Sequence, residues 1–178
     1  MITTERLILR RWRGEDREPY AAMMADPEVA YWLGDLTTRE QALASPAAFD
    51  ARLAAGWSGF MAVERRADGR FLGAAGLVAL DEHEPLAPGV EIGWRLAREA
   101  WGHGYASEAA RALLKEGFER LNLPEIVAYT AQSNLRSRAV MERVGLRRDV
   151  SRDFDHPALA KDHPLRRHVV YAATRPDV

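Results

Sequence analysis

The chain has 178 residues, with 25 basic and 26 acidic side chains and a formal net charge of −1 at pH 7. This balance excludes the broad positive field of a protein that binds nucleic acid or a membrane surface, and we expect neither partner. The absence of cysteine excludes disulfides, thiolate metal sites and cysteine nucleophiles. The sequence predicts no signal peptide, and no segment has the roughly 18 apolar residues of a spanning helix. We therefore expect one domain over residues 1–178, located in the cytoplasm.

The first half of the chain predicts helical regions between strands. In chain order these are a strand at 6–12, helical regions at 14–33 and 38–57, and strands at 59–66 and 70–80. Asp16 is a candidate cap of the first helix, and the Asp-Pro pair at 26–27 predicts where that helix ends. Pro46 should interrupt the second helical region or start a new helix within it. The Asp-Gly pair at 68–69 predicts a hairpin turn between the two strands that follow.

The second half of the chain alternates strands and helices. In order these are a strand at 90–96, a helix at 106–121, a strand at 124–132, a helix at 134–145, and strands at 146–154 and 168–175. Asn134 is a candidate cap of the second helix, and Gly145 followed by Leu146 predicts its end. Strands in succession, followed by strand–helix–strand–helix–strand, predict an α+β fold around one mixed sheet.

The segment EAWGHGYASEAARALL, residues 99–114, leads from a strand into a strongly amphipathic helix through alternating small residues. The unpaired amides and positive dipole of a helix amino terminus suit a phosphate group, and glycine lets an anion approach the backbone. A plain tight turn explains the same spacing equally well. A Walker A loop is excluded because the chain has no Gly-Lys-Ser/Thr triplet. A dinucleotide fingerprint is excluded because Ser107 occupies its third small position and the next strand lacks the ribose-binding acid.

The same segment resembles the acetyl-CoA pyrophosphate loop and following helix of the GNAT N-acetyltransferases. The nearest likeness is to the branch that acetylates the amino termini of ribosomal proteins, where Trp-Gly-x-Gly-Tyr-Ala is usual. Residues 4–20, 90–96 and 134–148 resemble further segments of that branch, so the likeness covers most of the chain. One departure is Trp101, which stands where the wider superfamily has a polar residue.

The resemblance implies a single GNAT-like domain of the α+β class. Its mixed, mostly antiparallel sheet would be splayed between the fourth and fifth strands, at 90–96 and 124–132, and flanked by helices. The implied reaction is direct attack of an amine on acetyl-CoA, the acetyl donor cosubstrate, without an acyl-enzyme. The absence of cysteine agrees with this reaction.

The resemblance also implies the residues that hold the cofactor. Three residues of the strand before the loop would offer main-chain contacts to the pantetheine arm, namely Trp94, Arg95 and Leu96. The loop amides would bind the pyrophosphate, and they belong to Gly102, His103, Gly104, Tyr105, Ala106 and Ser107. Asn134 would orient cofactor or substrate near the thioester, although a helix cap explains this asparagine as well. Arg136 and Arg138 are weaker candidates for the 3′-phosphate of CoA, because exposed helix arginines are common.

Two catalytic residues are predicted. Glu91 is the best candidate general base because it lies on the strand that enters the loop, although a structural glutamate fits the same position. By resemblance, Ser137 would donate a proton to the departing thiolate, although an ordinary first-turn serine is an alternative. Weaker candidate bases are Asp153, Asp155 and His156. No metal site is expected, because the histidines lack helical ligand spacing.

The acceptor implied by the branch resemblance is a protein or peptide α-amine. A small-molecule amine, such as an amino acid, a polyamine or an antibiotic, is the alternative. A non-catalytic acyl-CoA-binding module and a plain interaction protein are rivals of other classes. Acceptor contacts should come from 27–58, 81–89 and 151–167, with Trp32 and Trp57 assigned to the core. Oligomeric state is not readable, and a homodimer is one state that the resemblance allows.

Overall fold

The computed structural model of the protein describes residues 1–34 and 37–175. Its strands are β1 Ile2–Thr3, β2 Leu7–Arg10, β3 Gly59–Arg65, β4 Phe71–Ala79, β5 Val90–Leu96, β6 Glu125–Ala131, β7 Arg147–Arg148, β8 Phe154–Asp155 and β9 Arg167–Thr174. Its α-helices are α1 Arg17–Ala25, α2 Pro27–Tyr31, α3 Arg39–Ala55, α4 Tyr105–Lys115 and α5 Leu135–Arg143. A π-helical segment, Glu116–Arg120, continues α4. Single 3₁₀ turns lie at Gly14–Asp16, Arg98–Ala100 and Val150–Arg152.

Within the described residues the strands form one sheet in the order β1-β2-β3-β4-β5-β6-β9-β7, with β8 paired to β9. Every pair is antiparallel except β5 with β6. The register of that parallel pair contains only Glu91 opposite Val127, whereas β4 and β5 are paired along their whole length. The predicted α+β sheet, splayed between the strands at 90–96 and 124–132, is confirmed. These strands are β5 and β6 because Ile2–Thr3 adds a short strand at the edge.

Two apolar layers cover the sheet, one on each face. Helix α4 buries Leu113 and Leu114 against Ile92 and Ile126 of the central strands. Helices α1 and α3 cover the other face, where Tyr20 and Ala42 belong to the same cluster as Phe60. Each fully buried side chain of this size contributes roughly 1.5–3 kcal/mol to the free energy of unfolding. Packing on both faces therefore fixes the position of β5, although most of its edge toward β6 is unpaired.

The interruption expected at Pro46 is wrong, because α3 runs continuously from Arg39 to Ala55. Proline removes the N–H that would bond the carbonyl four residues earlier. The hydroxyl of Ser45 donates to the carbonyl of Gln41 at 2.7 Å, and Pro46 itself is buried. Burial of the ring and a Thr38–Gln41 capping box support the helix despite the lost bond.

The first predicted helical region is two helices, divided where the Asp-Pro pair indicated. Asp26 ends α1 and then caps α2, accepting from the N–H of Glu28 at 2.9 Å. Asp16 makes no side-chain cap bond to α1. Its carboxylate is instead buried against the guanidinium of Arg10, at 2.7 and 2.9 Å. Leaving a buried carboxylate without an opposite charge costs more free energy than leaving a helix end without a side-chain cap.

The predicted strand at 146–154 is also divided, into β7 and β8. Asp149 accepts from the N–H of Ser151 at 3.1 Å and pairs with Arg152 at 2.7 Å, which forms a 3₁₀ turn between the strands. Helix α5 ends as predicted. Gly145 has φ +95°, and the N–H of Leu146 bonds the carbonyl of Met141 at 3.0 Å.

Candidate active site

A cleft of about 1320 Å³ opens where β5 and β6 separate. One wall, here called the donor wall, is formed by the edge of β5, the loop that enters α4, and α5. The opposite acceptor wall contains side chains from β3, β5 and β6 and from segments before α3 and after β8. Glu91 lies at the base of the cleft, where the two strands still pair.

The register of β5 determines which of its main-chain groups face the opening. The N–H of Ala97 donates to the carbonyl of Leu72, and the N–H of Leu80 donates to the carbonyl of Gly89, both at 2.9 Å. Between these two pairs, every second residue of β5 therefore points its N–H and C=O groups toward β4. Arg95 is one of them. Trp94 and Leu96 point their groups toward β6, which lies too far away to pair with them.

This register corrects part of the predicted pantetheine site. The main chain of Arg95 is turned to β4, so only its side chain can reach the cleft. The carbonyl of Leu96 accepts from the indole N–H of Trp101 at 2.8 Å, which leaves Leu96 its N–H. The N–H and the C=O of Trp94 both face the opening, so both are available to a ligand amide.

The predicted phosphate loop has the backbone that an anion site requires. Gly102 and Gly104 both have φ +79°, a conformation that other residues rarely adopt. The first bond of α4 is from the N–H of Glu108 to the carbonyl of Gly104 at 3.0 Å. The amides of residues 102–107 therefore precede the helical ladder and have no partner in it. Six consecutive residues thus offer donors at the positive end of a helix.

The side chains of this loop are held from outside the motif. Arg6 donates to the carbonyl of His103 at 3.0 Å, pairs with Glu108 at 2.7 Å, and lies over the ring of Tyr105 at 4.9 Å. Ser107 is buried and accepts from Arg143 at 3.2 Å, so its predicted contact can only be made by its amide. No local pattern indicates a role for Arg6, because its partners lie about a hundred residues away.

Trp101 joins the two segments of the donor wall. Its indole N–H bonds β5, and its ring carries the guanidinium of Arg136 from α5 at 4.8 Å. Arg136, Arg111 and Arg143 all line the cleft, and none has an ion pair among residues 1–34 and 37–175. Guanidinium groups without carboxylate partners suit phosphate oxygens. These three arginines therefore form a basic wall in the cleft, near Trp101, which stands where the wider superfamily has a polar residue.

Arg138 does not join this wall. Its guanidinium donates to the hydroxyl of Tyr171 at 3.2 Å and to the carbonyl of Gln132 at 3.0 Å, and it does not line the cleft. The weaker prediction that it reaches the 3′-phosphate is therefore wrong, whereas Arg136 is suitably placed.

Asn134 and Ser137 both line the cleft at the start of α5. The side-chain oxygen of Asn134 accepts from the N–H of Ser137 at 3.2 Å, and its NH₂ group donates to Thr130 at 3.0 Å. The helix-cap interpretation of Asn134 is confirmed, and contact with cofactor stays a prediction. The hydroxyl of Ser137 has no hydrogen-bond partner in the described part of the chain, so it is available to a ligand.

Glu91 is half-buried, and its surroundings change its acidity. Burial raises the pKa of Glu91 to about 7; Arg95 and the Tyr129 hydroxyl oppose this shift, and Glu84 adds to it. Burial, together with the charge of Glu91, raises the pKa of the Tyr129 hydroxyl. A carboxyl group that titrates near neutral pH in a cleft can accept a proton under ordinary conditions.

The weaker candidate bases are placed less well. Asp153 pairs with Arg148 and accepts from the N–H of Val170 at 3.1 Å; although burial opposes them, these bonds lower the pKa of Asp153. Asp155 is paired with Arg166 and Arg167 at 3.5 and 3.4 Å. Neither carboxylate lines the cleft.

His156 does line the cleft, in an aromatic cluster that the sequence did not indicate. His168 lies 4.9 Å from it, ring to ring, and stacks on Phe154, which contacts Tyr129. Burial lowers the pKa of both histidines, which favours their neutral forms at pH 7. Because this contact is made between β6, β8 and β9, no local spacing could reveal it.

The predicted acceptor segments all contribute to the cleft. They supply Trp32, Phe49 and Arg52 from 27–58, Glu84 from 81–89, and His156, Leu159 and Leu165 from 151–167. Trp57 packs against the main core as predicted, and Trp32 packs against a small buried cluster of Ala131, Leu159 and Leu165 while it also lines the cleft. Residues 35 and 36 of the first segment lie outside the described residues.

Two absences hold for residues 1–34 and 37–175. No group of three or more histidine and acidic side chains there is arranged to hold a metal ion. Over the same ranges, no helix combines the length and apolar character needed to cross a bilayer.

An open strand edge, a cradle of free amides and a basic wall meet in one cleft, and this combination is that of a CoA-dependent acyltransferase. The family model described as "Acetyltransferase (GNAT) domain" matches residues 6–147 of the chain. The chain belongs to the GNAT acetyltransferase family and is an N-acetyltransferase that uses acetyl-CoA. The resemblance drawn from the loop motif is thus confirmed.

Similar proteins extend this likeness to the whole chain. The chain is 29% identical over 151 residues to "Uncharacterized N-acetyltransferase YoaA" of Bacillus subtilis (strain 168), covering 84% of each protein. The crystal structure of an acetyltransferase (GNAT family) from Bacillus anthracis is 24% identical, with a TM-score of 0.81 and 98% of both chains covered.

Two solved structures with known acceptors share the fold alone. RimL, titled a ribosomal L7/L12 alpha-N-protein acetyltransferase and solved with CoA, is 16% identical, with a TM-score of 0.75 and coverage of 96% of this chain and 95% of its own. A spermidine N-acetyltransferase from Vibrio cholerae is 14% identical, with a TM-score of 0.75 and 98% of both chains covered. The likeness to ribosomal-protein acetyltransferases is confirmed, but the fold does not select an acceptor.

Proposed function

We propose that the protein acetylates an α-amino group by direct attack and that Glu91 accepts the proton of the incoming ammonium. The observation that carries this proposal is the half-buried carboxyl group of Glu91 at the base of the cleft, where burial raises its pKa to about 7. A peptide α-amine has a pKa of about 7.7–8.0, whereas a lysine amine has about 10.4. Glu91 is therefore closely matched to an α-amine and poorly matched to a lysine.

The donor wall would hold the cofactor through main-chain groups. The free groups of Trp94 suit a pantetheine amide, and the amides of residues 102–107 suit the pyrophosphate. Arg136 lies beside this loop, where it would meet a phosphate oxygen. Acetyl-CoA supplies an acetyl thioester, whose acyl carbon is the group transferred.

The proton and electron balance of the reaction assigns one task to each side of the cleft. The amine nitrogen forms a bond to the acyl carbon, the carbon–sulfur bond breaks, and the thiolate leaves with the electron pair. Glu91 takes the ammonium proton that frees the nitrogen lone pair, and the second proton, which the nitrogen loses as the amide forms, passes to solvent. The hydroxyl of Ser137, which has no partner among the described residues, would donate to the departing thiolate and regain a proton from solvent.

Several parts of this proposal still rest on the sequence. The branch likeness favours a protein or peptide amino terminus, and a small-molecule amine is the alternative acceptor. A domain extending over residues 1–178, a cytoplasmic location and a homodimer stay predictions.

The pH dependence of CoA release tests the role of Glu91. For the wild type, kcat/KM with an α-amine should rise with pH through an apparent pKa near 7, because only the ionised carboxylate accepts a proton. Glu91→Gln should lower kcat by about 10²- to 10⁴-fold and move this limb to the pKa of the free α-amine, about 7.7–8.0. Because the chain has no cysteine, every thiol detected in the assay belongs to CoA.

A matched control is Glu82→Gln, since the Glu82 side chain is 87% exposed. This variant should keep both the rate and the pH limb. A Glu91→Gln enzyme with an unchanged pH limb would contradict the assignment of the base. A wild type that binds acetyl-CoA but acetylates no amine would instead be the non-catalytic module.

A further inference from the structure

We propose that the acceptor carries a carboxylate close to its reactive amine, as an amino acid does, and that Arg95 binds this carboxylate. The proposal rests on the proposed function, because it assumes that the amine is delivered to Glu91. It adds the substrate class, which neither the fold nor the comparisons provide.

Glu91 and Arg95 flank one aromatic ring on the same face of β5. Gly93, between them, leaves room for Phe60, since a Cβ at Gly93 would lie 2.8 Å from Cζ of that ring and 3.4 Å from Oε1 of Glu91. Gly76, opposite Gly93 on β4, lies beneath the same residue. The guanidinium carbon of Arg95 is 4.9 Å from the centre of the ring. A carboxylate and a guanidinium thus stand on either side of an apolar floor.

The guanidinium of Arg95 has no carboxylate within ion-pair distance in the described residues, and its charge acts on Glu91 only over a longer distance. Its guanidinium donates to the hydroxyl of Tyr20 at 3.2 Å, and it has no ion pair within the described part of the chain. The contrast with Arg10 is clear, because Arg10 is buried between Asp16 and Glu64 at 2.7 and 2.6 Å. A half-buried guanidinium in an aromatic wall is a strong ligand for a carboxylate, which it binds through two parallel hydrogen bonds.

The order of charges along β5 matches a zwitterion. An amino acid presents an ammonium group to Glu91 and a carboxylate to Arg95, so each end meets its opposite charge. A polyamine would bring a second positive charge against Arg95 and be repelled. An amino acid amide would leave the guanidinium without a counter-ion.

The same pairing assists proton removal. The carboxylate of a free amino acid stabilises its own ammonium group and thereby raises the pKa of the amine. Neutralising that carboxylate with Arg95 removes this effect and brings the amine closer to the acidity of a peptide α-amine. Arg95 would then bind the acceptor and also help Glu91 to deprotonate it.

The test compares free L-amino acids with their carboxamides, which keep the amine and remove the charge. We expect the wild type to show at least a tenfold higher kcat/KM for the acids. Arg95→Gln should raise KM for the acids at least tenfold and leave KM for acetyl-CoA and for the amides unchanged. Arg95→Lys, which keeps the charge but not the two-pronged geometry, should recover part of this loss.

Further arms identify the source of the carboxylate and control for folding. Tripeptides that begin with Asp are compared with those that begin with Ser; an Arg95-dependent preference for Asp assigns the carboxylate to an acidic peptide terminus. Arg17→Gln is the control, because Arg17 is exposed and does not line the cleft. Thermal unfolding with and without CoA checks that each variant keeps a folded donor wall.

Three results would overturn this inference while acetyl transfer stands. They are equal rates with acids and amides, a preference for spermidine over acids, or an unchanged acid-to-amide ratio in Arg95→Gln. If no amine of either kind releases CoA, the proposed function fails, and this inference fails with it.

Discussion

At the scale of single residues, the burial that suits Glu91 to its proposed role as a base also lowers the stability of the fold. Its carboxyl group is half-buried between apolar strands, which raises the pKa from 4.5 in the unfolded chain to about 7. Between these values the folded protein binds more protons than the unfolded chain, so the free energy of unfolding falls as pH rises. The raised pKa that lets Glu91 accept a proton at neutral pH therefore also lowers the free energy of unfolding at neutral pH.

Removing this charge should stabilise the protein above pH 7. Glu91→Gln is expected to increase the free energy of unfolding by up to about 3 kcal/mol at pH 8 and to change it little at pH 5, by the conversion of a pKa shift to energy. Urea unfolding at the two pH values measures the difference, with exposed Glu82→Gln as a control that should show none. A Glu91→Gln variant less stable than the wild type at pH 8 would contradict the raised pKa.

Individual residues could be predicted from the sequence where their role depends on near neighbours. The place of Glu91 in the cleft follows from its position on the strand entering the loop, and the cap at Asn134 follows from a partner three residues away. Arg6 and Tyr129 were missed because their partners come from strands and loops far along the chain. The unpaired charge of Arg95 is equally invisible, since it depends on what the surrounding strands do not provide.

At the scale of elements, the proposed phosphate site before α4 consists of main-chain amides, and the glycines of the loop determine the conformation of that main chain. Gly102 has φ +79°, and a Cβ there would meet no atom within 4 Å. Gly69, in the β3–β4 hairpin, has φ +71° and is equally open. The two glycines therefore carry the same conformational strain on substitution, and only one of them lies at the proposed phosphate site.

This pair separates binding from stability. Gly102→Ala and Gly69→Ala should each lower the free energy of unfolding by about 1–2 kcal/mol, because alanine resists positive φ. Only Gly102→Ala should also weaken CoA binding, by at least tenfold in Kd, since its Cβ would stand before the amides. Titration calorimetry with CoA and urea unfolding measure the two effects. Equal CoA affinities for the two variants would show that the loop is only a turn.

Elements were predicted well where the local pattern is unambiguous. Strand β5 has the bounds expected from its sequence, and α5 ends at Gly145 as expected. Errors arose where side chains changed the local preference. Pro46 is tolerated within α3 because it is buried, and Asp149 breaks the expected strand by bonding its own backbone.

At the scale of the whole molecule, the sheet is two halves joined weakly at its centre. Strands β1 to β5 form one half and β6 to β9 the other, and in the described residues their register contains a single pair. Helix α4 packs against both halves, with Leu113 and Phe118 in the cluster that includes Ile92 and Ile126. Sequence predicted a mixed sheet, but the width of the opening depends on packing that no local pattern contains.

A ligand that fills this gap should protect its edge. The N–H groups of Trp94 and Leu96 point toward β6 without a strand partner in the described residues, so they should exchange quickly in the free protein. Saturating CoA should slow hydrogen exchange in peptides from β5 and leave those from β3, which is paired on both sides, much less changed. Adenosine, which lacks the pantetheine arm, should not protect β5, and equal protection by adenosine would contradict the site.

The two walls of the cleft differ in what they are made of. The proposed cofactor contacts of the donor wall are mostly main-chain groups, of Trp94 and of residues 102–107, which most substitutions leave in place. The acceptor wall presents side chains, among them Glu91, Arg95 and Tyr129. A single mutation can therefore alter which amine is accepted and leave acetyl-CoA binding intact. A protein built in this way can change its substrate during evolution through single mutations, each of which leaves cofactor binding intact.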